Sequence, residues 1–278
     1  MLIDTHSHLN FNAYKIDAEE VIRRSLANDI WMINVGSTYE TSKRAVEIAQ
    51  RYGKGVYAAI GLHPIHLSSG IFKTKIDQEE IEFETKEENF DYEKYRELAR
   101  SEKVVAVGEI GLDYYYRPKT KIKLAAFKEK QKNVFLQQLD LAKELNLPII
   151  FHCRMAHQDL IEILSEQLTV NNEQIRGVMH CFTGTQEQAE KYLEMGFYLG
   201  FNGIIFKLDL NEIIKKTPLG SILIETDCPY LTPNPMTDRN EPLYVKYVAE
   251  RIAEIKNVNY EELAKTTTEN AKKLFKID

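Results

Sequence analysis

Seven histidines occur in 278 residues: His6, His8, His63, His66, His152, His157 and His180. Five of them, His6, His8, His63, His152 and His180, stand at or just past the end of a short apolar run. Carboxylates stand at the same kind of place: Asp4 beside the first pair, Glu109 after 104–108, and Glu225 and Asp227 after 222–224. Imidazole suits zinc, iron, nickel and cobalt, whereas carboxylate also suits magnesium and manganese. Four histidines with two or three carboxylates exceed the needs of one tetrahedral ion. Two ions bridged by a carboxylate fit the count better. Such ions sit roughly 3.5–4 Å apart and clamp the attacking and leaving oxygens of a hydrolytic displacement.

Strand geometry sharpens the pattern. Side chains alternate along a strand, so His6 and His8 share a side, as do Glu225 and Asp227. Cys153, Cys181 and Cys228 each follow a candidate ligand by one residue. They are therefore expected to point away from the ligands and to act as packing residues. Three thiols at these spacings match neither a disulfide framework nor a zinc knuckle. His66 and His157 fall off the pattern and read as structural.

The elements that must position these groups can be read in outline. Apolar runs rich in Val and Ile cover 1–5, 31–36, 56–61, 104–109, 148–152, 177–181, 197–201 and 222–227. Several lack alternation, as strands buried on both faces do. Amphipathic stretches lie between and after them, at 17–29, 40–52, 124–145, 157–168, 186–195, 242–255 and 260–275. Eight strands, each followed by a crossover, predict an α/β fold, a (β/α)₈ TIM barrel with a mostly parallel closed sheet. A doubly wound open sheet is the rival. In a parallel barrel the C-terminal ends of the strands host the chemistry, which is where the candidate ligands fall. Residues 1–278 are expected to form one domain. The segment 76–102 stands apart, with eleven acidic and four basic residues, and reads as an acidic helical insertion.

The formal charge of −6 provides no chain-wide positive field for nucleic acid. No apolar run reaches the roughly 18 residues of a membrane span. The first residues, MLIDTHSHLN, lack the basic flank and apolar stretch of a signal peptide. A cytoplasmic monomer without an obligate protein partner is the expectation.

The stretches IDTHSHLN, IGLHP, VGEIGLDYY, FHCR, MHCFTG, IETDCPYL and RNEP occur in this order. Together they resemble the TatD family of metal-dependent deoxyribonucleases, within the amidohydrolase-like TIM barrels, from Asp4 to about Phe275. The resemblance implies a deoxyribonuclease that hydrolyses DNA phosphodiester bonds as a 3′–5′ exonuclease, through water activated by two divalent ions (Mg, Mn or Zn). It implies that His6, His8, Glu109 and Asp227 hold a first ion. Glu109 would bridge to a second, completed by His152 and His180. Asp227 would orient or deprotonate the attacking water, and His63 would contact the scissile phosphate. Glu225 would support the catalytic group from one step deeper. Arg239, Asn240 and Glu241 would order the loop after the eighth strand. The substrate would be single-stranded DNA or a 3′ end.

Arg154 follows His152 by two and is open to two readings, a phosphate contact or a surface ion pair. Tyr114, Tyr115 and Tyr116 are open to base stacking or ordinary packing. Arg117, Lys119 and Lys207 read as solvated charges that could meet phosphates. Without a basic stripe, recognition would be local to a strand end. Two features depart from the family pattern: the long acidic segment, and Cys228 where a small Ser or Ala is common. The functional alternative is an amide, lactone or ester hydrolase on the same metal-dependent barrel, since activated water attacks any of these electrophiles.

Overall fold

The computed structural model describes residues 1–68, 70–76, 79–171 and 175–278. Its strands are β1 (Leu2–Ser7), β2 (Ile30–Val35), β3 (Val56–Ile60), β4 (Gly70–Ile76), β5 (Glu79–Thr85), β6 (Val104–Asp113), β7 (Ile149–Arg154), β8 (Gly177–Met179), β9 (Tyr198–Phe201) and β10 (Ile222–Ile224). Its α-helices are α1 (Ala18–Ala27), α2 (Tyr39–Ala49), α3 (Tyr92–Leu98), α4 (Lys121–Glu144), α5 (His157–Asn171), α6 (Gln186–Glu194), α7 (Asn211–Lys216), α8 (Val245–Lys256) and α9 (Tyr260–Phe275).

Eight strands form one parallel sheet in the order β1-β2-β3-β6-β7-β8-β9-β10. A single parallel bridge from Ser7 to Cys228 joins the two ends, so the barrel is nearly closed. The rival open sheet is excluded by that seam. It is reinforced by the Thr5 hydroxyl donating to the Ile224 carbonyl at 3.1 Å. The strands are buried along their whole lengths in β1, β3 and β6, which explains their unbroken apolar composition.

Alternation within the strands sorts the core. Ile150, Val178 and Leu223 join Ile3, Ile33 and Val105 in one cluster, which is packed against Leu274 and Phe275 of α9. Their neighbours Phe151, Met179, Ile222 and Ile224 belong to a different cluster, shared with Leu160, Tyr192 and Val248 of the surrounding helices. The ligand candidates follow the first set by two residues: His152 after Ile150, His180 after Val178, and Glu225 after Leu223. The same side of the strands is thus apolar deeper down and polar at the C-terminal ends.

The acidic segment differs from expectation. It is not helical throughout: β5 pairs antiparallel with β4, Gly70 opposite Thr85 and Ile76 opposite Glu79, and helix is confined to α3. Alternating Glu with Ile and Phe over 79–84 favours a strand, a signal that the net charge obscured. Asp77 and Gln78 lie outside the described residues. Helix α7 has no counterpart among the expected stretches.

Candidate metal centre

Two β-sheet irregularities aim the ligands. The β1–β2 register shifts between Asp4 and Ser7. Regular alternation from the inward-facing Ile3 would carry His6 and His8 away from that side. The irregularity re-aims them, and their Nε2 atoms lie 3.1 Å apart. The β6–β7 register shifts between Gly108 and Ile110, at Glu109. Glu109 therefore sits inside a ten-residue strand, not at its end.

Glu109 is the hub. Its Oε1 lies 2.5 Å from His152 Nδ1, 3.6 Å from His63 Nε2 and 3.8 Å from His180 Nε2. Its Oε2 lies 3.5 Å from His6 Nε2. Asp227 faces the group from the loop after β10, with Oδ1 3.3 Å from His8 Nε2 and Oδ2 3.8 Å from His180 Nε2. Its backbone is left-handed, at φ 57, a conformation Asp tolerates better than most residues. The Asp227 N–H donates to the His6 carbonyl at 2.8 Å.

All six expected ligands thus converge on one buried centre, but their grouping differs from the expected pairing. Ligand atoms of His6, His8 and Asp227 lie within 4.8 Å of one another, as do those of His6, Glu109 and His180. His152 groups instead with His63 and Asp113. Sequence reasoning gave Asp113 no role, although it stands four residues after Glu109 on one strand and so shares its side. Cys181 is a correction. It was expected to point away, yet its Sγ gathers within 4.8 Å of ligand atoms of His180 and Asp227. β8 ends at Met179, and Cys181 adopts a left-handed φ of 45, so alternation no longer governs it. Cys153 and Cys228 are buried in apolar clusters as expected.

Hydrogen bonds fix the imidazole tautomers. The Val35 carbonyl lies 2.8 Å from His8 Nδ1 and must accept its proton, which leaves the Nε2 lone pair facing Asp227. Ile65 N–H donates to His63 Nδ1 at 3.0 Å. Neutral His63 therefore carries its proton on Nε2, toward Glu109. Glu225 Oε1 lies 2.9 Å from His180 Nδ1 as an ion-pair contact. Glu225 itself is completely buried; its Oε1 accepts from Cys181 N–H at 2.6 Å. Gly200 leaves it room, because a Cβ there would stand 2.6 Å from Glu225 Oε2. Glu225 accordingly lies behind His180.

Electrostatics divide the histidines. Burial, with the stacked His180 ring beside it, lowers the His6 pKa. Burial and His152 push His63 down to about 3. Burial opposes charge on His152 too, but Glu109 and Asp113 lift it to about 9. Burial is likewise outweighed at His180, which Glu225, Asp227 and Glu109 raise to about 10. Burial disfavours charge on Glu109 and Asp227, yet the surrounding histidines hold Glu109 well below the usual carboxylate range and lower Asp227. Burial keeps Asp4 neutral up to about 8, despite hydrogen bonds from Thr226 and His6.

The donor set fits divalent ions. Two imidazole Nε2 atoms at 3.1 Å, one with its other nitrogen committed to a carbonyl, face ionised carboxylates, and His6 Nδ1 has no hydrogen-bond partner among the described residues. A cation accepts those lone pairs where a proton satisfies only one.

The remaining candidates surround the centre. Arg154 continues the His152 side of β7, and its guanidinium stacks 3.6 Å from the centroid of the exposed Tyr115 ring. Tyr116 packs edge-on against Tyr115. Tyr114 is buried and donates to Asp159 at 2.9 Å, so it is a packing residue. Arg117, Lys119 and Lys207 are exposed. His157 is buried, with Nδ1 3.1 Å from the Tyr192 hydroxyl, and is structural; His66 is held neutral by burial, down to about 4. Asn240 Nδ2 donates to the carbonyls of Thr226 and Tyr230 at 2.9 and 2.5 Å, which secures the loop bearing Asp227. Glu241 accepts from Arg24, and Arg239 pairs with Asp17 at 2.5 Å. Sequence reasoning also passed over Tyr230, whose hydroxyl is pushed up to about 12 by burial and by the charges of Asp227 and Glu109.

Comparison with known proteins places this geometry. The family model described as TatD related DNase matches residues 3–276. The chain is 45% identical to an uncharacterized metal-dependent hydrolase, YabD, of Bacillus subtilis strain 168, over 100% of both chains. It is 33% identical to a 3′-5′ ssDNA/RNA exonuclease TatD of Escherichia fergusonii, over 99% of each. Among solved structures, YJJV, a TatD homolog from Escherichia coli K12, superimposes with a TM-score of 0.82 at 29% identity, covering 100% of this chain and 98% of that one.

Proposed function

This chain belongs to the TatD family of metal-dependent hydrolases, and from that premise we propose that it is a nuclease that shortens single-stranded DNA from the 3′ end. The observation that carries the reading is the convergence of His6, His63, His152 and His180 on Glu109, with His8 meeting Asp227 beside them, at the C-terminal end of the barrel. The exonuclease name borne by a relative 33% identical supports the choice of substrate.

His6, His8, Glu109 and Asp227 would hold one divalent ion, and Glu109, His152 and His180 a second. Bound there, the ions lower the pKa of an attacking water and offset charge on the phosphate oxygens. The protein's own groups do the rest. Asp227 is an ionised carboxylate among three histidines and receives the proton of the attacking water. His63 is neutral and presents its Nε2–H to a phosphate oxygen. Glu225 fixes His180 through Nδ1 without reaching substrate. Arg154, backed by the Tyr115 ring, binds a phosphate at the mouth, and Tyr115 and Tyr116 offer faces to the terminal base.

The test uses 5′-labelled single-stranded DNA and chelator-treated protein, with Mg²⁺, Mn²⁺ and Zn²⁺ restored one at a time. Stepwise shortening from a free 3′ end, only after an ion is restored, is the expected result. Ion-loaded protein that cleaved cyclic amides or carboxylic esters and left DNA intact would overturn it.

A further inference from the structure

We infer that Asp113 is a positioning residue that turns His152 so that Nδ1, not Nε2, is the atom it offers to a metal ion. The inference rests on the metal-dependent reading above and adds a residue that the reading did not include.

The geometry is a clamp. Glu109, Gly111 and Asp113 alternate along β6, and Gly111 pairs with His152 across the β6–β7 boundary. A Cβ at Gly111 would stand 2.0 Å from the His152 carbonyl oxygen, and its φ of +147 disfavours other residues. Glycine here lets the strands approach, and the imidazole lies between the two flanking carboxylates. Its Nδ1 is 2.5 Å from Glu109 Oε1 and its Nε2 is 3.1 Å from Asp113 Oδ2.

The two carboxylates are not equivalent. Glu109 also faces His6, His63 and His180, so it belongs to the ligand hub. Asp113 is tied to the scaffold. Tyr115 N–H donates to its Oδ1 at 2.8 Å. Its backbone is gripped from both sides by Gln131 of α4: Asp113 N–H donates to Gln131 Oε1 at 2.8 Å, and Gln131 Nε2 donates to the Asp113 carbonyl at 2.9 Å. Asp113 and Gln131 are both buried. A ligand imidazole whose other nitrogen donates to a carboxylate is held in one tautomer and one orientation. Asp113 is the partner that the scaffold fixes, so once a cation takes the place of the Nδ1 proton, the remaining proton would reside on Nε2, toward Asp113.

The experiment titrates Zn²⁺ into full-length wild-type, Asp113→Ala and Asp113→Asn protein against a chromophoric chelator. Asp113→Ala should weaken one bound ion by about 10–100-fold. Asp113→Asn should recover part of that loss, because its amide oxygen still accepts from Nε2–H. Long-range ¹H–¹⁵N spectra of the Zn²⁺-loaded wild type should place the His152 proton on Nε2, a readout that stands even if Asp113→Ala does not fold. Ligation through Nε2, or unchanged Zn²⁺ affinity in folded Asp113→Ala, would overturn the inference alone. A wild-type chain that bound no divalent ion would instead overturn the metal reading on which it rests.

Discussion

On the seam side of the centre, where β1 meets the loop after β10, His8 donates its Nδ1 proton to a backbone carbonyl, and burial keeps His6 neutral. On the β6–β7 side, His152 is gripped by two carboxylates and holds a proton up to about 9. A carbonyl fixes a tautomer without supplying charge. A carboxylate fixes it and also raises the basicity of the ring. His6 on the seam side is therefore neutral and ready for a cation, whereas His152 and His180 carry protons that a cation must displace. Glu109 belongs to both sides, and the sharpest break of the comparison is made there. Glu109→Gln keeps the volume and removes the shared charge. Of the two ions proposed, counted by elemental analysis after dialysis, at most one should remain bound. Hydrolysis should fall by more than the roughly 10²–10⁴-fold that losing one proton-transfer group costs. Two ions retained in the variant would show that the sides do not meet at Glu109.

The proton difference predicts a pH effect of intermediate size. His152 at about 9 and His180 at about 10 are raised above the ordinary histidine value of 6.5. In the ion-free protein their contribution to stability is complete below pH 6.5 and is lost as pH rises through 9 to 10. Ion binding runs the other way, because fewer protons must be expelled at high pH. The gap in Tm between ion-loaded and ion-free protein should widen from pH 7 to pH 9. Affinity should rise by about tenfold per pH unit for each proton released. In His152→Ala the slope should shrink by up to one proton, read by calorimetry in buffers of different ionisation enthalpy. An unchanged slope would dissolve the contrast between the sides.

The contrast itself was only half legible in the sequence. Eight apolar runs gave the barrel strands in order, because strand alternation is local and survives without tertiary knowledge; the polar residues at their ends gave nine candidate groups, from which the family resemblance singled out six as expected ligands. His152, His180 and Glu225 obey it directly, each following an inward apolar residue by two. His6 and Glu109 reach the centre through register shifts in β1 and β6, which no periodicity announces. Cys181 escaped because its strand stops early and its backbone turns left-handed. The Asp113 partnership was hidden for another reason: it depends on Gln131 from α4, a contact across 18 residues that only packing reveals. Charge misled over 79–85, where a net acidic count concealed strand alternation.

The smallest expected effect tests whether the seam positions its ligands through one buried pair. The Thr226 hydroxyl donates to Asp4 Oδ2 at 2.6 Å, and Thr226 N–H donates to Asp4 Oδ1 at 2.8 Å. Asp4 in turn accepts from His6 N–H at 3.2 Å, so the pair links β1 to the loop that bears Asp227. Thr226→Val keeps the shape and the backbone bond, and it removes the hydroxyl. A buried acceptor left without its donor costs about 1–3 kcal/mol, measurable by urea denaturation. The sign of its pH dependence follows from Asp4, raised from 3.8 to about 8. The stability associated with neutral Asp4 is complete below 3.8 and is lost as pH rises through 8. Above that point the carboxylate needs the hydroxyl donor most, because hydrogen bonds to ions are the stronger kind. Thr226→Val should therefore lose more stability at pH 9 than at pH 6, with ion stoichiometry unchanged because every ligand is still present. Equal losses at both pH values would mean that the seam is held by its backbone bonds, His8 to Cys228 and Asp227 to His6, rather than by the Asp4–Thr226 pair.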